Sequence, residues 1–476
     1  MTKFKFGTDG WRAIIDRDFT LTNVKIVAQA IADYMKSHNL DGKGIIIGYD
    51  TRKGSQHFAE GVCRVMLGND IRTFVTERDA PTPVTAFEVL HKKAGGAVMI
   101  TASHNPPEWN GIKYIPDYAG PALPEVTDEI TKNIDQVLIT KTVKETSIDS
   151  GIKKHLFKSI DPKVPYTEFV EKQIDLETMK KAKLKVVIDA MHGTARGYLD
   201  YILRDLSCKT TIIHDDLDPN FGGSRPEPLP EFLIELKNKV ASLNADLGLA
   251  TDGDADRLAV FDSDGTYFAA NQLLPMLYDY LIKRGEAGGV VRSVSTTHFV
   301  DQIAKKYDFP VYEVPVGFKY VGQYLREQNV IIGAEESGGF GFKGHISEKD
   351  GIFTCIKVAE MRAKTGKSLS QLLDELQSEY GSFYSGRDEV QCPEKQKQVV
   401  MERLSSTIPD KIIGIAVLMV NRIDGLKLIL EDGCWLLIRP SGTESILRIY
   451  GETSNKETLK MLLKTGKNLV SKALNE

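Results

Sequence analysis

The stretch Gly44-Ile-Ile-Ile-Gly-Tyr-Asp50 decides the fold class, because a short apolar run is followed at once by a turn and an amphipathic segment. The run is typical of a buried β-strand, and residues 55–67 have the periodicity of a helix. The same order returns at Lys185-Val-Val-Ile-Asp-Ala190, which precedes a helical pattern over 198–206. Strand and helix in alternation predict α/β units around a mostly parallel sheet.

The last part of the chain has a different order. Strand patterns over 412–422, 426–430, 434–439 and 447–451 come first, and a closing helix starts at 456. Strands first and helix last indicate an antiparallel α+β domain. Because 476 residues are too many for one ordinary domain, we predict four domains. Their predicted ranges are 1–150, 151–257, 258–375 and 376–476.

Composition and charge argue against several classes of protein. Sixty-one basic and 65 acidic side chains leave a net charge of −4, so we expect no nucleic-acid partner, which would need a concentrated basic patch. The sequence contains no run of eighteen apolar residues, so we expect no membrane span. The amino terminus has no apolar stretch typical of a signal peptide. Five cysteines, an odd number without a C-x-x-C pair, favour a reducing cytoplasm over a disulfide framework.

The stretch Asp252-Gly-Asp-Ala-Asp256-Arg257 carries three carboxylates at alternate positions after an apolar strand. An extended segment would put all three on one side, where their charges would repel. A hard divalent cation removes that repulsion and prefers oxygen ligands. We therefore predict a Mg²⁺ site, with an acidic surface turn as the alternative.

Two other stretches carry groups suited to phosphate chemistry. In Thr101-Ala-Ser-His-Asn-Pro106, a strand delivers Ser103 to a turn beside His104. This arrangement suits a nucleophile or phosphoryl carrier next to an acid/base, although a plain Ser/Asn turn fits equally well. Arg439-Pro-Ser-Gly-Thr-Glu444 offers a guanidinium, hydroxyls and backbone N–H groups that can hold a phosphate dianion, with a hairpin turn as the alternative. Arg12 gives a weaker signal of the same kind.

A competing motif is Asp262-Ser-Asp-Gly-Thr266, which resembles the signature of haloacid-dehalogenase-type phosphatases. In those enzymes the first Asp is the nucleophile. Here an Asp-Gly pair lies between two apolar runs, and this pattern favours a β-hairpin.

Four stretches together resemble, in the same order, the functional loops of the α-D-phosphohexomutase family. Residues 101–106 resemble its phosphoserine loop, 252–257 its metal loop, Gly333-Ala-Glu-Glu-Ser-Gly338 its sugar-hydroxyl loop and 439–444 its phosphate loop. The resemblance covers nearly the whole chain. It implies three similar mixed α/β domains plus a C-terminal α+β domain around a central cleft.

The resemblance also implies a role for each matching residue. Ser103 would carry the transferable phosphoryl group and would bind Mg²⁺ together with Asp252, Asp254 and Asp256. Lys113 matches the family's acid/base lysine. Arg12 and Arg257 would lie near the transferring phosphate. Further substrate ligands would be Lys319, Glu335, Ser337, Lys349, Arg439, Ser441, Gly442 and Thr443.

Two features bear on mechanism and substrate. Gly339 stands where many members of the family have His, so His345 or Lys349 would have to supply the second acid/base group. Gly317-Phe-Lys-Tyr-Val321 resembles the specificity loop of phosphoglucomutase and phosphomannomutase members, whereas phosphoglucosamine mutases usually have Gly-Asp-Arg. Lys319 therefore favours glucose, with mannose second.

The expected activity is interconversion of hexose 1-phosphate and hexose 6-phosphate by a monomer or homodimer. A hexose 1,6-bisphosphate would be both intermediate and activator. Three alternatives stay open: a phosphoglucosamine mutase, a sugar phosphatase using Asp262, and a sugar-phosphate sensor without activity.

Overall fold

The computed structural model describes residues 4, 6, 7, 10–442 and 444–475. The chain forms two compact units. Unit 1 comprises Met1–Ala270, Phe318–Gln328 and Ser337–Ser370, and unit 2 comprises Asn271–Gly317, Asn329–Glu336 and Gln371–Glu476.

The first sheet lies in unit 1 and has the strand order β1-β5-β4-β2-β3-β6. Strands β4, β2, β3 and β6 are parallel neighbours, while β5 and β1 are antiparallel at one edge. Every residue of β2 is buried, as expected for a strand covered on both faces. The strands are Trp11–Ile14 (β1), Ile45–Tyr49 (β2), Thr73–Thr76 (β3), Gly96–Ile100 (β4), Trp109–Pro116 (β5) and Phe157–Ile160 (β6), and the helices are Leu21–Ser37 (α1), Ser55–Gly68 (α2), Thr82–Lys92 (α3), Pro124–Thr140 (α4) and Ile148–Lys153 (α5).

The second sheet, also in unit 1, has the order β11-β10-β9-β7-β8. It repeats the plan of the first sheet: β9, β7 and β8 are parallel, and an antiparallel hairpin of β10 and β11 forms one edge. The elements are Lys163–Glu171 (α6), Leu176–Ala182 (α7), Lys185–Asp189 (β7), Leu199–Asp205 (α8), Lys209–Ile213 (β8), Ile234–Leu243 (α9), Leu247–Thr251 (β9), Leu258–Asp262 (β10) and Tyr267–Phe268 (β11).

The third group of elements contributes to both units. In unit 2, β12 pairs in parallel with β13 and β14. Unit 1 contains α12, β15 and α13. The elements are Ala270–Lys283 (α10), Gly289–Ser293 (β12), Phe299–Lys306 (α11), Val311–Val314 (β13), Phe318–Glu327 (α12), Val330–Ala334 (β14), Phe340–Phe342 (β15), Gly351–Thr365 (α13) and Leu369–Tyr380 (α14).

The C-terminal sheet lies in unit 2 and is antiparallel throughout, with the order β16-β21-β20-β19-β18-β17. Helix α16 packs on it, and Gly466 is close enough to the sheet that a Cβ there would lie 2.7 Å from Ile449 Cγ2. The elements are Tyr384–Gln391 (β16), Glu394–Ser406 (α15), Lys411–Ile412 (β17), Ile415–Asn421 (β18), Leu426–Leu430 (β19), Trp435–Pro440 (β20), Ile446–Thr453 (β21) and Lys456–Asn475 (α16).

Sequence reasoning missed β16, whose residues Tyr-Ser-Gly-Arg-Asp-Glu-Val-Gln are mostly polar and only half-buried. Strand β6 pairs with β3 although it follows the predicted boundary at 150, and the hairpin of β10 and β11 pairs with β9 although it follows the predicted boundary at 257. The sheets therefore favour boundaries after residues 160 and 268. The four predicted ranges stay a prediction.

Candidate active site

Ser103 lies in the loop between β4 and β5, in unit 1. Its backbone has φ of 53°, in the left-handed region that costs a non-glycine residue energy. Its N–H donates to Thr101 Oγ1 at 2.8 Å. The side chain is buried, at 1% exposure. A strained, buried serine at a strand end is the arrangement expected of a functional loop.

The three aspartates lie in the turn between β9 and β10. This corrects our expectation of an extended segment: residues 252–256 form a tight turn, and Ala255 has φ of 58°. The three carboxylates converge because the backbone of residues 252–256 turns around them. They do not converge because side chains alternate along an extended strand. The backbone is also tightly enclosed, since a Cβ at Gly253 would lie 2.9 Å from the Ser103 carbonyl oxygen.

The turn brings the aspartates to the serine. Ser103 Oγ donates to Asp252 Oδ2 at 2.9 Å across 149 residues of sequence. One carboxylate oxygen from each of Asp252, Asp254 and Asp256 lies within 4.8 Å of the others, and all three residues are buried. Two oxygens on opposite sides of a Mg²⁺ ion are about 4 Å apart, so this spacing suits a small divalent cation.

Two carboxylate oxygens of this cluster support the metal prediction. Asp254 Oδ1 and Asp256 Oδ1 are buried and have no hydrogen-bond partner in the described part of the chain. Buried carboxylate oxygens without partners are costly, and a bound cation would remove that cost. The donor set is all oxygen, which is the chemistry that Mg²⁺ prefers. The residues present therefore fit the ion.

Cationic and hydroxyl groups surround the same carboxylates. Lys113, on β5, donates to Asp254 Oδ2 at 2.8 Å and to Asp256 Oδ2 at 3.4 Å. Lys349 Nζ lies 3.2 Å from Asp256 Oδ2. Thr82, at the start of α3, donates its hydroxyl to Asp254 Oδ2 at 2.7 Å. The carboxylates thus balance two ammonium groups within one buried site.

The protonation states follow from burial and neighbouring charge. Burial, together with the charges of Asp254 and Asp256, raises the pKa of Asp252 well above its usual range. Burial also acts to raise the pKa of Asp254, but the ion pair with Lys113 and the hydrogen bond from Thr82 outweigh it and lower that pKa. Burial acts to lower the pKa of Lys113, but the same two carboxylates raise it, so this lysine is held as an ammonium.

His104 and Arg12 contact the loop that carries Ser103. His104 Nδ1 is 3.2 Å from Ser103 Oγ, and Arg12 Nη1 donates to Asn105 Oδ1 at 2.7 Å. Burial, followed by the charges of neighbouring cations including Arg257 and Arg12, lowers the pKa of His104 well below its usual range. The imidazole is therefore neutral, and an unprotonated ring nitrogen is available to accept a hydrogen bond.

The two candidates for the second acid/base group lie in different surroundings. Lys349 borders Gly339, where a Cβ would lie 2.5 Å from Lys349 Cδ. His345 stacks on Phe353 with ring centroids 4.0 Å apart, and its Nε2 is 2.8 Å from Asp350 Oδ2. These contacts give His345 a packing role, and Lys349 is the one of the pair that reaches the carboxylate cluster.

Three other predicted residues belong to unit 1, and one of them, Arg257, contacts this cluster. Arg257 forms an isolated bridge with Gly339, and its Nε lies 3.8 Å from Asp256 Oδ1. Ser337 lies in the turn after β14, and Lys319 is the second residue of α12, with Nζ 4.9 Å from the centre of the Tyr320 ring.

Asp262 is fully buried at the end of β10 and is committed to backbone contacts. Its Oδ1 accepts from Ser263 N at 2.8 Å, and its Oδ2 accepts from Ser370 N at 2.8 Å. Gly265 N donates to the Asp262 carbonyl at 2.9 Å, which closes the hairpin predicted from the Asp-Gly pair. The hairpin prediction is confirmed, and both carboxylate oxygens of Asp262 accept backbone hydrogen bonds.

Unit 2 contains the predicted phosphate-binding residues. Arg439, on β20, donates from Nε to Asp424 Oδ2 at 2.7 Å. Ser441 N donates to the Ile446 carbonyl at 3.1 Å, Gly442 is exposed and has open space around its Cα, and Thr443 lies outside the described residues. Glu335, in the turn after β14, accepts from Gly317 N at 2.7 Å.

Sequence reasoning missed two basic residues that donate hydrogen bonds to the backbone of the predicted phosphate loop and of the Ser103 loop. Buried Lys397 donates to the carbonyls of Ser441 and Glu444, both at 2.7 Å. Arg52, just after β2, contacts four backbone carbonyls of the Ser103 loop. Arg52 could have been suspected, because the charged pair Asp50-Thr-Arg52 follows a fully apolar strand. Lys397 gives no such signal in its polar helix.

Four family domains match the chain in order. Phosphoglucomutase/phosphomannomutase domain I matches residues 3–140, domain II 164–265, domain III 269–380 and the C-terminal domain 389–464. The chain belongs to the α-D-phosphohexomutase family. Members catalyse phosphate transfer within sugar phosphates, so this phosphohexomutase is an enzyme of carbohydrate metabolism. The predicted architecture of three α/β domains followed by an α+β domain is confirmed.

Related proteins cover almost the whole chain. The phosphoglucomutase/phosphomannomutase of Thermococcus kodakarensis is 31% identical over 98% of this chain and 99% of its own length. The phosphoglucosamine/phosphogalactosamine mutase of Sulfurisphaera tokodaii is 29% identical, with 98% of each chain covered. A crystal structure from Thermus thermophilus superposes with a TM-score of 0.86 at 28% identity, covering 98% and 99% of the two chains. These names leave the preferred sugar open.

Among the described residues, no helix is both long and apolar enough to cross a membrane.

Proposed function

We propose that this phosphohexomutase interconverts hexose 1-phosphate and hexose 6-phosphate through a phosphorylated Ser103. The observation that carries the proposal is the hydrogen bond from Ser103 Oγ to Asp252, within a buried cluster of three carboxylates. A hydroxyl beside an all-oxygen cation site suits phosphoryl transfer, which depends on positioning and on neutralising charge.

The proposed cation is Mg²⁺, held by Asp252, Asp254, Asp256 and an oxygen on Ser103. When bound, it would neutralise negative charge on the transferring phosphoryl group. Asp254 Oδ1 and Asp256 Oδ1, which are buried and accept no hydrogen bond in the described part of the chain, support this assignment.

In the proposed reaction, phospho-Ser103 donates its phosphoryl group to the free hydroxyl of the sugar phosphate, giving a hexose 1,6-bisphosphate. The bond between phosphorus and Ser103 Oγ breaks, the sugar hydroxyl loses its proton, and the serine oxygen takes one up. The other phosphate of that intermediate then returns to Ser103, whose hydroxyl must lose its proton. Asp252 Oδ2 at 2.9 Å and neutral His104 Nδ1 at 3.2 Å are both within reach of that proton. Lys113 is held as an ammonium and can give a proton to a departing oxygen.

The remaining predicted residues are proposed to hold the substrate. Arg12 and Arg257 would contact the transferring phosphate, and Lys319, Glu335 and Ser337 the sugar. Arg439, Ser441, Gly442 and Thr443 would hold the phosphate that is not reacting. We expect the enzyme to work in a reducing cytoplasm, where its five free, buried cysteines would stay reduced, and as a monomer or homodimer.

Glucose phosphates are the proposed substrates, with mannose phosphates second, because Lys319 occupies the position that differs in phosphoglucosamine mutases. Phosphoglucosamine mutase is the second candidate, and the likeness to the Sulfurisphaera tokodaii enzyme favours it. Coupled assays with glucose 1-phosphate, mannose 1-phosphate and glucosamine 1-phosphate, each with Mg²⁺ and its 1,6-bisphosphate, separate the candidates. The highest kcat/KM on glucosamine 1-phosphate would reject the glucose assignment.

Substitution of the proposed carrier tests the mechanism. Ser103→Ala should reduce mutase turnover to the background of the assay and remove the phosphoryl mass of about 80 Da on this residue, since no covalent carrier remains. Ser242→Ala, at an exposed serine of α9, is the control and should match the wild type. Turnover that survives in Ser103→Ala and is lost in Asp262→Asn would instead support the phosphatase hypothesis. A wild-type chain that binds sugar phosphates without any turnover would support the sensor.

A further inference from the structure

Arg52 is buried in unit 1, at 2% exposure, and its guanidinium converges on the backbone of the Ser103 loop. Nη2 donates to the carbonyls of Ser103 at 2.5 Å and Asn105 at 2.7 Å. Nη1 donates to the carbonyls of Pro106 at 2.7 Å and Trp109 at 3.0 Å. One side chain therefore fixes four peptide groups over seven residues.

The loop needs an outside support of this kind. Residues 101–108 contain no strand or helix, so no ladder of backbone hydrogen bonds sets their conformation. Ser103 also has a left-handed backbone, which persists only where the surroundings enforce it. The Ser103 carbonyl defines the peptide plane on one side of the serine. Holding that carbonyl therefore helps to fix the direction of the Ser103 Cα–Cβ bond, from which the hydroxyl projects.

Arg52 is itself held on its other side. Asp50 Oδ2 accepts from Arg52 Nε at 3.1 Å, and Asp50 Oδ1 accepts from Arg52 N at 3.0 Å. Ser55 Oγ donates to the same carboxylate at 2.7 Å. The guanidinium also lies over the Phe221 ring, 4.9 Å from its centre. Because Asp50 and Ser55 belong to the end of β2 and the start of α2, they anchor the arginine to the first sheet.

Only a guanidinium can make this set of contacts. It presents five N–H donors in a rigid plane, whereas a lysine ammonium has three donors on one atom. Lysine at this position would keep the positive charge and lose most of the four carbonyl contacts. Charge and geometry can therefore be separated by a single conservative substitution.

We propose that Arg52 is a positioning residue that aims the Ser103 side chain for phosphoryl transfer by fixing the carbonyls of residues 103–109. This inference rests on the proposed function of Ser103. It predicts that a loosened loop transfers the phosphoryl group to sugar more slowly and exposes phosphoserine to water, because attack depends on alignment of the reacting groups.

The test compares wild type, Arg52→Lys and Arg196→Lys. Arg196 is the matched control, since its guanidinium also pairs with a carboxylate of the same unit, Asp79, at 2.6 Å. Arg196→Lys should match the wild type in kcat and in loop exchange. Arg52→Lys should lower kcat per phosphorylated Ser103 by roughly 100-fold with KM within about threefold of wild type. Phosphate released to water per sugar converted should rise. Hydrogen exchange should quicken in peptides covering 101–112 and stay unchanged elsewhere.

Asp50→Asn provides a second variant, which retains Arg52 and removes the charge that orients its Nε. It should show smaller changes in the same direction. Unchanged loop exchange and unchanged kcat in Arg52→Lys would overturn the proposal. So would a loss of activity that merely follows the loss of folded protein, with exchange faster throughout the chain.

The two hypotheses fail in different ways. If the wild-type enzyme shows no mutase turnover, or keeps it in Ser103→Ala, the proposed function fails. Exchange in the 101–112 peptides of Arg52→Lys then still decides the role of Arg52 in the loop: faster local exchange supports it, and unchanged exchange rejects it.

Discussion

At the residue scale, the absence of a side chain at Gly339 affects which group contacts Asp256. Gly339 stands at the position where many members of the family have a histidine. A Cβ at this position would lie 2.5 Å from Lys349 Cδ and 2.9 Å from its Cγ. The small residue thus leaves room for the lysine, whose Nζ lies 3.2 Å from Asp256 Oδ2. We infer that Lys349 supplies the cation and proton-transfer group that a histidine supplies in other members.

A pair of substitutions tests this inference. Lys349→Met, which keeps the length of the side chain and removes its charge, should lower kcat by about 10²- to 10⁴-fold, the usual contribution of a positioned acid/base group. His345→Gln should keep kcat per folded molecule within about threefold, because its ring stacks on Phe353 and pairs with Asp350. Steady-state kinetics at saturating bisphosphate, corrected for folded protein by circular dichroism, give the comparison. The opposite ranking would return the role to His345.

At the scale of the elements, the start of α13 links several parts of unit 1. Asp350 is the N-cap, and its Oδ1 accepts from Phe353 N at 2.8 Å. Its Oδ2 accepts from the Tyr166 hydroxyl at 2.6 Å and lies 2.8 Å from His345 Nε2. One carboxylate therefore caps a helix, satisfies a fully buried tyrosine on α6 and fixes the segment that carries Lys349.

Asp350→Ala should lower the free energy of unfolding by about 2–4 kcal/mol, combining the loss of a cap with buried donors left without an acceptor. Asp350→Asn keeps the cap acceptor and should cost less, about 1 kcal/mol. Urea denaturation monitored by circular dichroism measures both variants. Equal midpoints for Asp350→Ala and wild type would show that the contacts of Asp350 with α6 and α13 contribute little to stability.

At the scale of the whole molecule, the compact units do not follow the family domains. The third family domain contributes β12, β13 and β14 to unit 2, and α12, β15 and α13 to unit 1. Within unit 2, a buried charge network joins its strands to the C-terminal sheet: Lys427 Nζ, on β19, donates to Glu313 at 2.7 Å and to the Val294 carbonyl at 2.8 Å.

This network predicts how the stability of unit 2 depends on pH. Burial, followed by the charge of Arg292, lowers the pKa of His298 to about 4, although Glu313 opposes the shift. Between pH about 6.5 and about 4, His298 is protonated in the unfolded chain and neutral in the folded protein. The free energy of unfolding should therefore decrease as the pH is lowered from about 6.5 to about 4, by up to about 3 kcal/mol. Lys427, whose pKa burial lowers to about 8, stays charged there and does not contribute.

The measurement is urea denaturation at pH 7.5, 6.0 and 4.5, followed by hydrogen exchange of peptides from β20 and β21. His298→Gln removes this titration, so its unfolding free energy should fall less steeply than that of the wild type between pH 6.5 and 4. Parallel curves for the two proteins would show that His298 does not titrate as its burial implies. Asp301 and Glu313 also face this ring, at 3.9 and 3.5 Å. Burial acts to raise the pKa of Glu313, but contacts with His298, Arg292 and Lys427 outweigh it and lower that pKa, so Glu313 also contributes at the acidic end of the window.

The sequence by itself determined the elements and the chemical groups. The apolar run of β2 and the hairpin at Asp262 could be predicted because strand burial and turn chemistry depend on neighbouring residues. The loops at 101–106, 252–257 and 439–444 could be identified for the same reason, since each concentrates its polar groups within six residues. Strand β16 escaped prediction because a half-buried polar strand has no such local pattern.

The tertiary structure alone decided how these groups meet. The contact between Ser103 and Asp252 spans 149 residues, and our preference for Lys349 over His345 rests on the packing of the Lys349 side chain against Gly339. The arginine that holds the Ser103 loop acts on carbonyls, which every residue has, so no side-chain pattern could predict its partners. Local periodicity encodes secondary structure, whereas these contacts form only when the sheets bring distant turns together.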